Sequence, residues 1–154
     1  HRDLHSFPTR RSSDLEYLRW FGSRPKIGVL SLNPHGGEGG LFGTEDIKAI
    51  APAIEDAKKK GITVYGPIPA DTAFCPDVRS GLDVLLAMYH DQGLGPFKAL
   101  AFSTGVNVTL GLPFIRTSPD HGTAYNIAAK WQADHTSMAE AMSLAIDLAD
   151  RQDR

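Results

Sequence analysis

Short runs of β-forming residues alternate along this chain with a segment of helical periodicity, and this alternation limits the possible folds most strongly. The runs KIGVLSL (26–32), ITVYG (62–66) and DVLLAMY (83–89) are typical of strands. Between the first two, apolar residues recur at helical spacing, namely Ile47, Ile50, Ala51, Ile54 and Ala57. Strands that alternate with helices predict an α/β sheet.

The expected helix has recognisable ends. Thr44 is followed by the acidic residues Glu45 and Asp46, which favour a helix start. The run KKKG (58–61) places cations and then a glycine at its end. Ligands of α/β sheets bind beyond the carboxyl ends of the strands, so the loops after the strands are the expected site.

The second half of the chain predicts shorter elements. We expect a short helix around residues 97–102, extended pieces at VNVTLG (106–111) and PFIRTS (113–118), and a helix start within DHGTAYNIAAK (120–130). A last helix is expected over 137–151, with Ser137 and Glu140 as a capping box. Its buried side is predicted to carry Met138, Met142, Ala145, Ile146 and Ala149.

Composition excludes several classes of protein. The chain has 154 residues, of which 42% are hydrophobic and 22% charged, as in one soluble domain with a core. A formal net charge of −2 lacks the excess of positive charge that is typical of proteins that bind nucleic acid or an anionic membrane. The single cysteine excludes an intrachain disulfide, and no apolar run is long enough to cross a bilayer. We therefore expect a cytoplasmic protein with neither nucleic-acid nor membrane partners.

The start of the chain differs in character from the rest. Residues 1–15, HRDLHSFPTRRSSDL, show no periodicity and carry a basic, serine-rich cluster. We interpret them as a non-native or disordered leader and expect the fold over residues 16–154.

Three histidines follow extended segments and lie close to glycine: His35, His90 and His121. Neutral imidazoles suit zinc and similar divalent ions, and three protein ligands leave a position open for substrate. An ordinary hydrogen-bonded turn is an equally good interpretation of each. Asp71 and Asp91 could orient a histidine, or could be turn residues themselves.

Two further features bear on anion binding. Lys98, Asn107 and Arg116 are polar residues in an otherwise apolar stretch, so they could hold phosphate or carboxylate near His90, or could be solvated surface residues. The loop HGGEGGLFG (35–43) lacks both the Gly-Lys-Ser/Thr and the GxGxxG spacing of nucleotide-binding loops. We interpret that loop as a glycine-rich turn.

Five motifs, in order along the chain, carry a family resemblance: LNPHGGEGG (32–40), GPIPADTAF (66–74), AMYHDQG (87–93), FKALAF (97–102) and GVNVTLGLPFIRTSPDHGTA (105–124). Together they resemble the carboxyl-terminal half of the 4-hydroxythreonine-4-phosphate dehydrogenase family, over about residues 16–150. The resemblance implies an isocitrate/isopropylmalate dehydrogenase-like fold, here partial. It also implies a homodimer with active sites at the subunit interface.

The activity implied by the resemblance is oxidation of a small phosphorylated hydroxy amino acid in pyridoxal 5'-phosphate biosynthesis. It requires NAD or NADP and a divalent metal such as zinc, magnesium or cobalt. By the same resemblance, His35 and His90 are metal ligands, and Lys98, Asn107 and Arg116 contact the substrate. The group that takes the hydroxyl proton is not indicated.

The resemblance assigns the DHGTA segment to the cofactor, with His121, Gly122, Thr123 and Ala124 as its binding residues. This removes His121 from the metal candidates, because the family takes its third histidine from the amino-terminal half. Asn126 stands where related decarboxylating dehydrogenases often carry an acidic residue, so NAD and NADP both stay open.

Two alternatives stay open at this point. One is a paralogue that oxidises erythronate or threonate 4-phosphate, and the other is a non-catalytic metal- or phosphate-binding fragment. With two of three metal ligands, the chain alone is expected to bind metal weakly and not to turn over.

Overall fold

A computed structural model of the chain describes residues 15–122, 124–130 and 132–152. Residues 1–14 of the expected leader lie outside this part, and helix α1 occupies residues 15–21. The chain divides into two compact units. One is Arg24–Pro96, and the other combines residues up to Ser23 with those from Phe97 onward.

The Arg24–Pro96 unit contains a parallel sheet. Its strands are β1 (Ile27–Leu30), β2 (Val64–Ile68) and β3 (Val84–Leu86), in the order β2-β1-β3. Ile27 aligns with Val64 on one side and with Val84 on the other. The α/β sheet predicted from the sequence is confirmed, although β3 is shorter than the expected strand over 83–89.

One helix covers a face of this sheet. A π-helical turn (Asp46–Ile50) leads directly into α2 (Ala51–Lys59). Ile47 is 51% exposed, so the predicted apolar set is buried only from Ile50 onward. The core between α2 and the sheet consists of Val29, Ile50, Ile54, Ala57, Ile62 and Val64.

The end of α2 agrees with the prediction from KKKG. Gly61 has a φ of +78°, which a residue without a Cβ adopts at little cost. Its N–H donates to the Lys58 carbonyl at 2.9 Å, and the Ile62 N–H donates to the Ala57 carbonyl at 3.1 Å. These two bonds form a Schellman motif, and Ala57 and Ile62 both belong to the core that the motif closes.

Three further α-helices begin in the described residues of this unit, and the last of them continues past Pro96. α3 (Ala70–Ala73) and α4 (Pro76–Arg79) are short helices that the sequence patterns do not predict. α5 (His90–Ala101) starts seven residues before the expected helix at Phe97 and contains Pro96. The Met88 N–H donates to Oε1 of the Gln92 side chain at 2.7 Å, and this bond stabilises the early start.

The second unit is built on a hairpin. β4 (Val106–Val108) pairs antiparallel with β5 (Thr117–Pro119), and α6 (Tyr125–Ala128) and α7 (Thr136–Gln152) follow. α7 contacts both strands, and the Thr117 hydroxyl donates to the Ala141 carbonyl at 2.8 Å. Within the described residues, no helix is long and apolar enough to cross a membrane.

The predicted buried side of α7 is wrong. Ala141 and Leu148 are buried, whereas four of the five predicted residues are exposed: Met138, Met142, Ile146 and Ala149. Ala145 is half-buried. The helix carries two apolar stripes at helical spacing, and periodicity does not indicate which of them faces the hairpin.

The predicted capping box of α7 is also wrong. The Ser137 hydroxyl accepts the Asp120 N–H and donates to the Gly105 carbonyl, both at 3.3 Å. The Asp134 carboxylate instead accepts the Thr136 hydroxyl at 2.6 Å and the Thr136 N–H at 2.9 Å, and these two bonds, the hydroxyl first, lower the pKa of Asp134. Ser137 thus ties α7 to the ends of the hairpin strands rather than capping the helix.

The core beneath α2 predicts a clear difference between two isoleucines of the same helical segment. Ile54 is 1% exposed and Ile47 is 51% exposed. We expect Ile54→Ala to lower the free energy of unfolding by roughly 2–5 kcal/mol, because it removes buried methyl groups and leaves a cavity. Ile47→Ala should change it by about 0.5 kcal/mol or less. Urea unfolding followed by circular dichroism measures both, and equal losses would contradict the packing described above.

Candidate functional site

A cavity lies at the carboxyl ends of the three parallel strands. Its volume is about 270 Å³. Each strand contributes residues that follow its last position, and the lining consists of Leu32, Asn33, Pro34, His35, Ala70, Asp71, Tyr89 and Gln92. The location agrees with the expectation that ligands of α/β sheets bind at this edge.

The loop that carries His35 is a left-handed turn. From His35 to Gly39, five consecutive residues have φ between 42° and 83°. Three of these are glycines, but His35 and Glu38 are not. A left-handed conformation costs a residue with a Cβ roughly 1–2 kcal/mol, and such residues cluster at functional sites. The turn confirms the glycine-rich turn expected from the sequence.

The two non-glycine residues of this turn contact each other. His35 Nδ1 lies 2.6 Å from Oε1 of Glu38, so the ring N–H donates to the carboxylate. This hydrogen bond, and then the charge of Glu38, raise the pKa of His35 above its ordinary value. Asp71, across the cavity, raises that pKa further by its charge.

His90 has a similar partner. It is the first residue of α5, directly after Tyr89 of the cavity lining, and its Nδ1 lies 2.7 Å from Oδ1 of Asp91. The contact with Asp91 that the sequence analysis considered is therefore present. When a carboxylate holds Nδ1–H, Nε2 is the nitrogen through which a histidine binds a metal.

The donor chemistry of His35 and His90 therefore suits a divalent cation. These two histidines do not make a complete set of metal ligands. Within the described residues, no three His, Cys, Asp or Glu side chains come together as a metal site. Catalytic zinc sites use three protein ligands. The metal prediction stays a prediction, with two candidate ligands in this chain.

Two predicted substrate residues lie on one face of the hairpin in the second unit. Asn107 is opposite Ser118, and the Thr109 N–H donates to the Arg116 carbonyl at 3.0 Å. Alternate residues of a strand face the same way, so these four share a face, and Thr117 faces α7. Arg116 Nη1 donates to the Thr109 hydroxyl at 2.8 Å. The sequence analysis expected Asn107 and Arg116 around one sheet edge with His90, but they belong to a separate sheet.

Lys98 belongs to the same unit as this hairpin. Its Nζ lies 3.3 Å from both the carboxylate and the carbonyl oxygen of Asp120, directly after β5. The ammonium also lies 5.9 Å from the centre of the Phe102 ring. These contacts hold a half-buried cation at the end of a hairpin strand.

Three of the four predicted cofactor residues, His121, Gly122 and Ala124, are exposed. His121 Nδ1 donates to the Gly122 carbonyl at 2.9 Å, and Ala124, with a φ of 51°, precedes α6. Thr123 and the side chain of Asn126 lie outside the described part of the chain. The cofactor assignment stays a prediction.

Sequence reasoning gave no site role to the most deeply buried polar groups. Among the described residues, three polar side chains are buried: Ser31, Asp46 and Gln92, which are 0%, 2% and 7% exposed. Gln92 Nε2 donates to the Ser31 carbonyl at 2.6 Å. The Asp46 carboxylate accepts the N–H groups of Leu32 at 2.8 Å and Asn33 at 2.9 Å.

The signals for these residues were weak. The sequence indicates Asp46 only as an acidic residue of a first helical turn, which is a solvated position in most helices. Gln92 stands three residues after the end of a predicted buried strand (83–89), and this position is the available indication of a role at the sheet edge.

The chain is similar in sequence to proteins of one family. Residues 14–145 match the family described as "Pyridoxal phosphate biosynthetic protein PdxA". The 4-hydroxythreonine-4-phosphate dehydrogenase of Aquifex aeolicus is 58% identical over 136 residues, which are 88% of this chain and 42% of the relative. The D-threonate 4-phosphate dehydrogenase of Salmonella typhimurium is 53% identical over 126 residues, which are 82% of this chain and 38% of the relative.

A solved structure agrees with the fold. The crystal structure of 4-hydroxythreonine-4-phosphate dehydrogenase from Klebsiella pneumoniae matches with a TM-score of 0.77 at 44% identity, covering 97% of this chain and 48% of that one. The relatives are named as dehydrogenases, which are oxidoreductases. This chain belongs to the PdxA family. It spans about 40% of the length of the curated relatives it matches.

The contact between His35 and Glu38 predicts a titration shift. In Glu38→Gln the pKa of His35 should fall, because a neutral amide stabilises the imidazolium less than a carboxylate does. NMR titration of the His35 ring measures the midpoint. Glu55→Gln is the control, since Glu55 is exposed and pairs with Lys58.

The contribution of the His35–Glu38 contact to the stability of the fold depends on pH in a definite direction. A raised pKa means that the pair stabilises the fold below the ordinary histidine pKa, and that this contribution is lost as the pH rises through the raised value. An unchanged midpoint in Glu38→Gln would show that the turn does not hold the two side chains together in solution.

Proposed function

We propose that this chain supplies the metal- and substrate-binding part of an NAD(P)-dependent dehydrogenase. The reaction is oxidation of 4-phosphohydroxy-L-threonine to 3-amino-2-oxo-4-phosphooxybutanoate, which decarboxylates to 3-amino-2-oxopropyl phosphate in pyridoxal 5'-phosphate biosynthesis. The proposal is carried by one observation beyond family membership. Two histidines follow neighbouring strands at the carboxyl edge of the sheet, and each has its Nδ1 on a carboxylate.

The proposed metal ligands are His35 and His90. Glu38 and Asp91 would keep each ring in the tautomer that presents Nε2, as carboxylates do for metal-binding histidines. A bound divalent cation would polarise the substrate hydroxyl as a Lewis acid. A further ligand would come from a part of the relatives that this chain does not match.

The proposed substrate contacts are Lys98, Asn107 and Arg116. Two cations and an amide suit a substrate with a phosphate and a carboxylate. Pairing of β4 with β5 fixes Asn107 and Arg116 on one face, and Asp120 limits the range of Lys98. Held in this way, the groups would orient the carbon that is oxidised.

The proposed cofactor residues are His121, Gly122, Thr123 and Ala124. Resemblance to the adenosine-side loop of related dehydrogenases supports this assignment, and NAD and NADP are both retained. A bound nicotinamide would accept the hydride removed from the substrate.

We further propose that the functional protein is a homodimer with an isocitrate/isopropylmalate dehydrogenase-like fold. Family resemblance supports both statements. The exposed apolar side chains of α7 agree with further burial in a larger assembly, because Met138, Met142 and Ile146 are each more than half exposed.

A second substrate is supported by the comparisons themselves. The Salmonella typhimurium relative, at 53% identity, is named D-threonate 4-phosphate dehydrogenase. Both substrates place a phosphate on a four-carbon chain that carries a hydroxyl and a carboxylate. The same cationic residues therefore suit either one, and the choice has to be measured.

A chimera tests this function. Residues 16–150 would replace the matching segment of the Aquifex aeolicus relative. We expect divalent-metal-dependent reduction of NAD or NADP with 4-phosphohydroxy-L-threonine. His35→Ala and His90→Ala should each lower kcat/KM by roughly a hundredfold or more, since Lewis-acid stabilisation amounts to several kcal/mol and about 1.4 kcal/mol is a factor of ten. His135→Ala, at an exposed position, is the control.

The other outcomes of this test identify the alternatives. A preference for D-threonate 4-phosphate would keep the chemistry and change the substrate. Metal binding without turnover of either substrate would favour a binding module. Turnover by the isolated 154-residue chain would contradict the proposal that it is only part of the catalytic unit.

A further inference from the structure

We propose that Gln92 and Asp46 are positioning residues that fix the loops carrying His35 and His90 relative to each other. They do so by holding backbone groups just beyond the ends of β1 and β3. This inference rests on the proposed metal-binding role of the two histidines. It adds two residues that would act on the metal site without touching the metal.

Gln92 joins the two strand ends. Val29 and Leu86 are the last aligned residues of β1 and β3. Beyond them, Gln92 Nε2 donates to the Ser31 carbonyl at 2.6 Å, and Gln92 Oε1 accepts the Met88 N–H at 2.7 Å. A side-chain amide has the same donor and acceptor as a peptide group, so it continues the β1–β3 pairing where the backbone ladder stops. Ser31 precedes His35 by four residues, and Met88 precedes His90 by two.

Asp46 acts on the loop of His35 alone. Its Oδ1 accepts the Leu32 N–H at 2.8 Å and its Oδ2 accepts the Asn33 N–H at 2.9 Å. Both carboxylate oxygens are used, and the side chain is 2% exposed. These are the residues directly before the left-handed turn, so Asp46 sets the direction in which the chain enters that turn.

The placement of buried polarity argues that these contacts serve the site. All three buried polar side chains among the described residues, Ser31, Asp46 and Gln92, bond to backbone groups of residues 31–33 at this one edge of the sheet. Among all the residues that the structure describes, every buried side-chain nitrogen and oxygen has a hydrogen-bond partner. Burying a polar group costs free energy unless it is paired, and apolar packing of the same shape is often at least as stable. Core stability alone therefore does not explain a fully paired polar cluster at this point. The cluster indicates that the backbone at this edge of the sheet has to be held in one fixed geometry.

The test uses near-isosteric variants of the 154-residue chain. Gln92→Met keeps the length of the side chain and removes both hydrogen bonds, and Asp46→Asn replaces one acceptor by a donor. Gln132→Met and Asp56→Asn are matched controls at exposed positions. Zn²⁺ affinity is measured by competition with a chromophoric chelator, under conditions where urea curves show each variant to be folded. The ring ¹⁵N signals of His35 and His90 are recorded without metal.

We expect Gln92→Met to lower the Zn²⁺ affinity by roughly 10–100-fold, the usual effect of removing a group that orients metal ligands. In the metal-free chain it should shift the ring signals of both histidines. Asp46→Asn should shift those of His35 more than those of His90. Both controls should leave affinity and signals unchanged.

A second variant covers the case in which Gln92→Met does not fold. Gln92→Glu keeps the acceptor for Met88 and loses the donor to Ser31, so its effect should be larger on His35 than on His90. Unchanged ring signals and affinity in folded Gln92 variants, with only a loss of stability, would overturn the proposal. The proposed metal site needs a further ligand from outside this chain, so absence of Zn²⁺ binding by the chain and all variants would leave the decision to the metal-free ring signals. Shifts of those signals in folded Gln92 variants support the positioning role, and unchanged signals overturn it.

Discussion

The side-chain amide of Gln92 is the contact on which the geometry of the sheet edge depends. Parallel strands that separate at their ends leave peptide groups without a partner, and each buried unpaired group costs about 1–3 kcal/mol. Gln92 pairs one such group from each strand, at Ser31 and Met88. Because Gln92 lies in the first turn of α5, the same contact also stabilises the start of that helix at His90.

The strained loop beside this contact is supported by charge-assisted bonds. His35 and Glu38 adopt left-handed conformations that cost roughly 1–2 kcal/mol each. Asp46 accepts two backbone N–H groups just before the turn, and a bond to a charged group contributes about 1.5–3 kcal/mol. Two such bonds are large enough to offset the strain. The result is a turn that brings the ring of His35 against its own carboxylate partner.

Sequence patterns predicted the elements that local chemistry controls. The alternation of strands and helix, the end of α2 at Gly61, and a strand within the extended piece at 106–111 are confirmed because propensity and turn chemistry act over a few residues. The extended piece at 113–118 is wrong over most of its length, since β5 begins only at Thr117. Long-range contacts account for the errors. The early start of α5 involves Gln92, whose other partner lies 61 residues away, and the role of Asp46 depends on a loop 13 and 14 residues before it. The buried stripe of α7 was decided by packing on the hairpin.

The two sets of candidate residues differ in how tightly the fold holds them, and the difference follows from their proposed ligands. Metal–ligand distances tolerate deviations of only about 0.2 Å, so a histidine pair requires fixed backbone. A phosphate or carboxylate is bound by long cationic side chains that adjust their rotamers. Buried polar contacts accordingly lie beside His35 and His90. Asn107 and Arg116 stand on an exposed strand face, where the strand register and one hydrogen bond from Arg116 to Thr109 position them. Buried, hydrogen-bonded polar side chains at one sheet edge are thus what a metal site requires and an anion site does not.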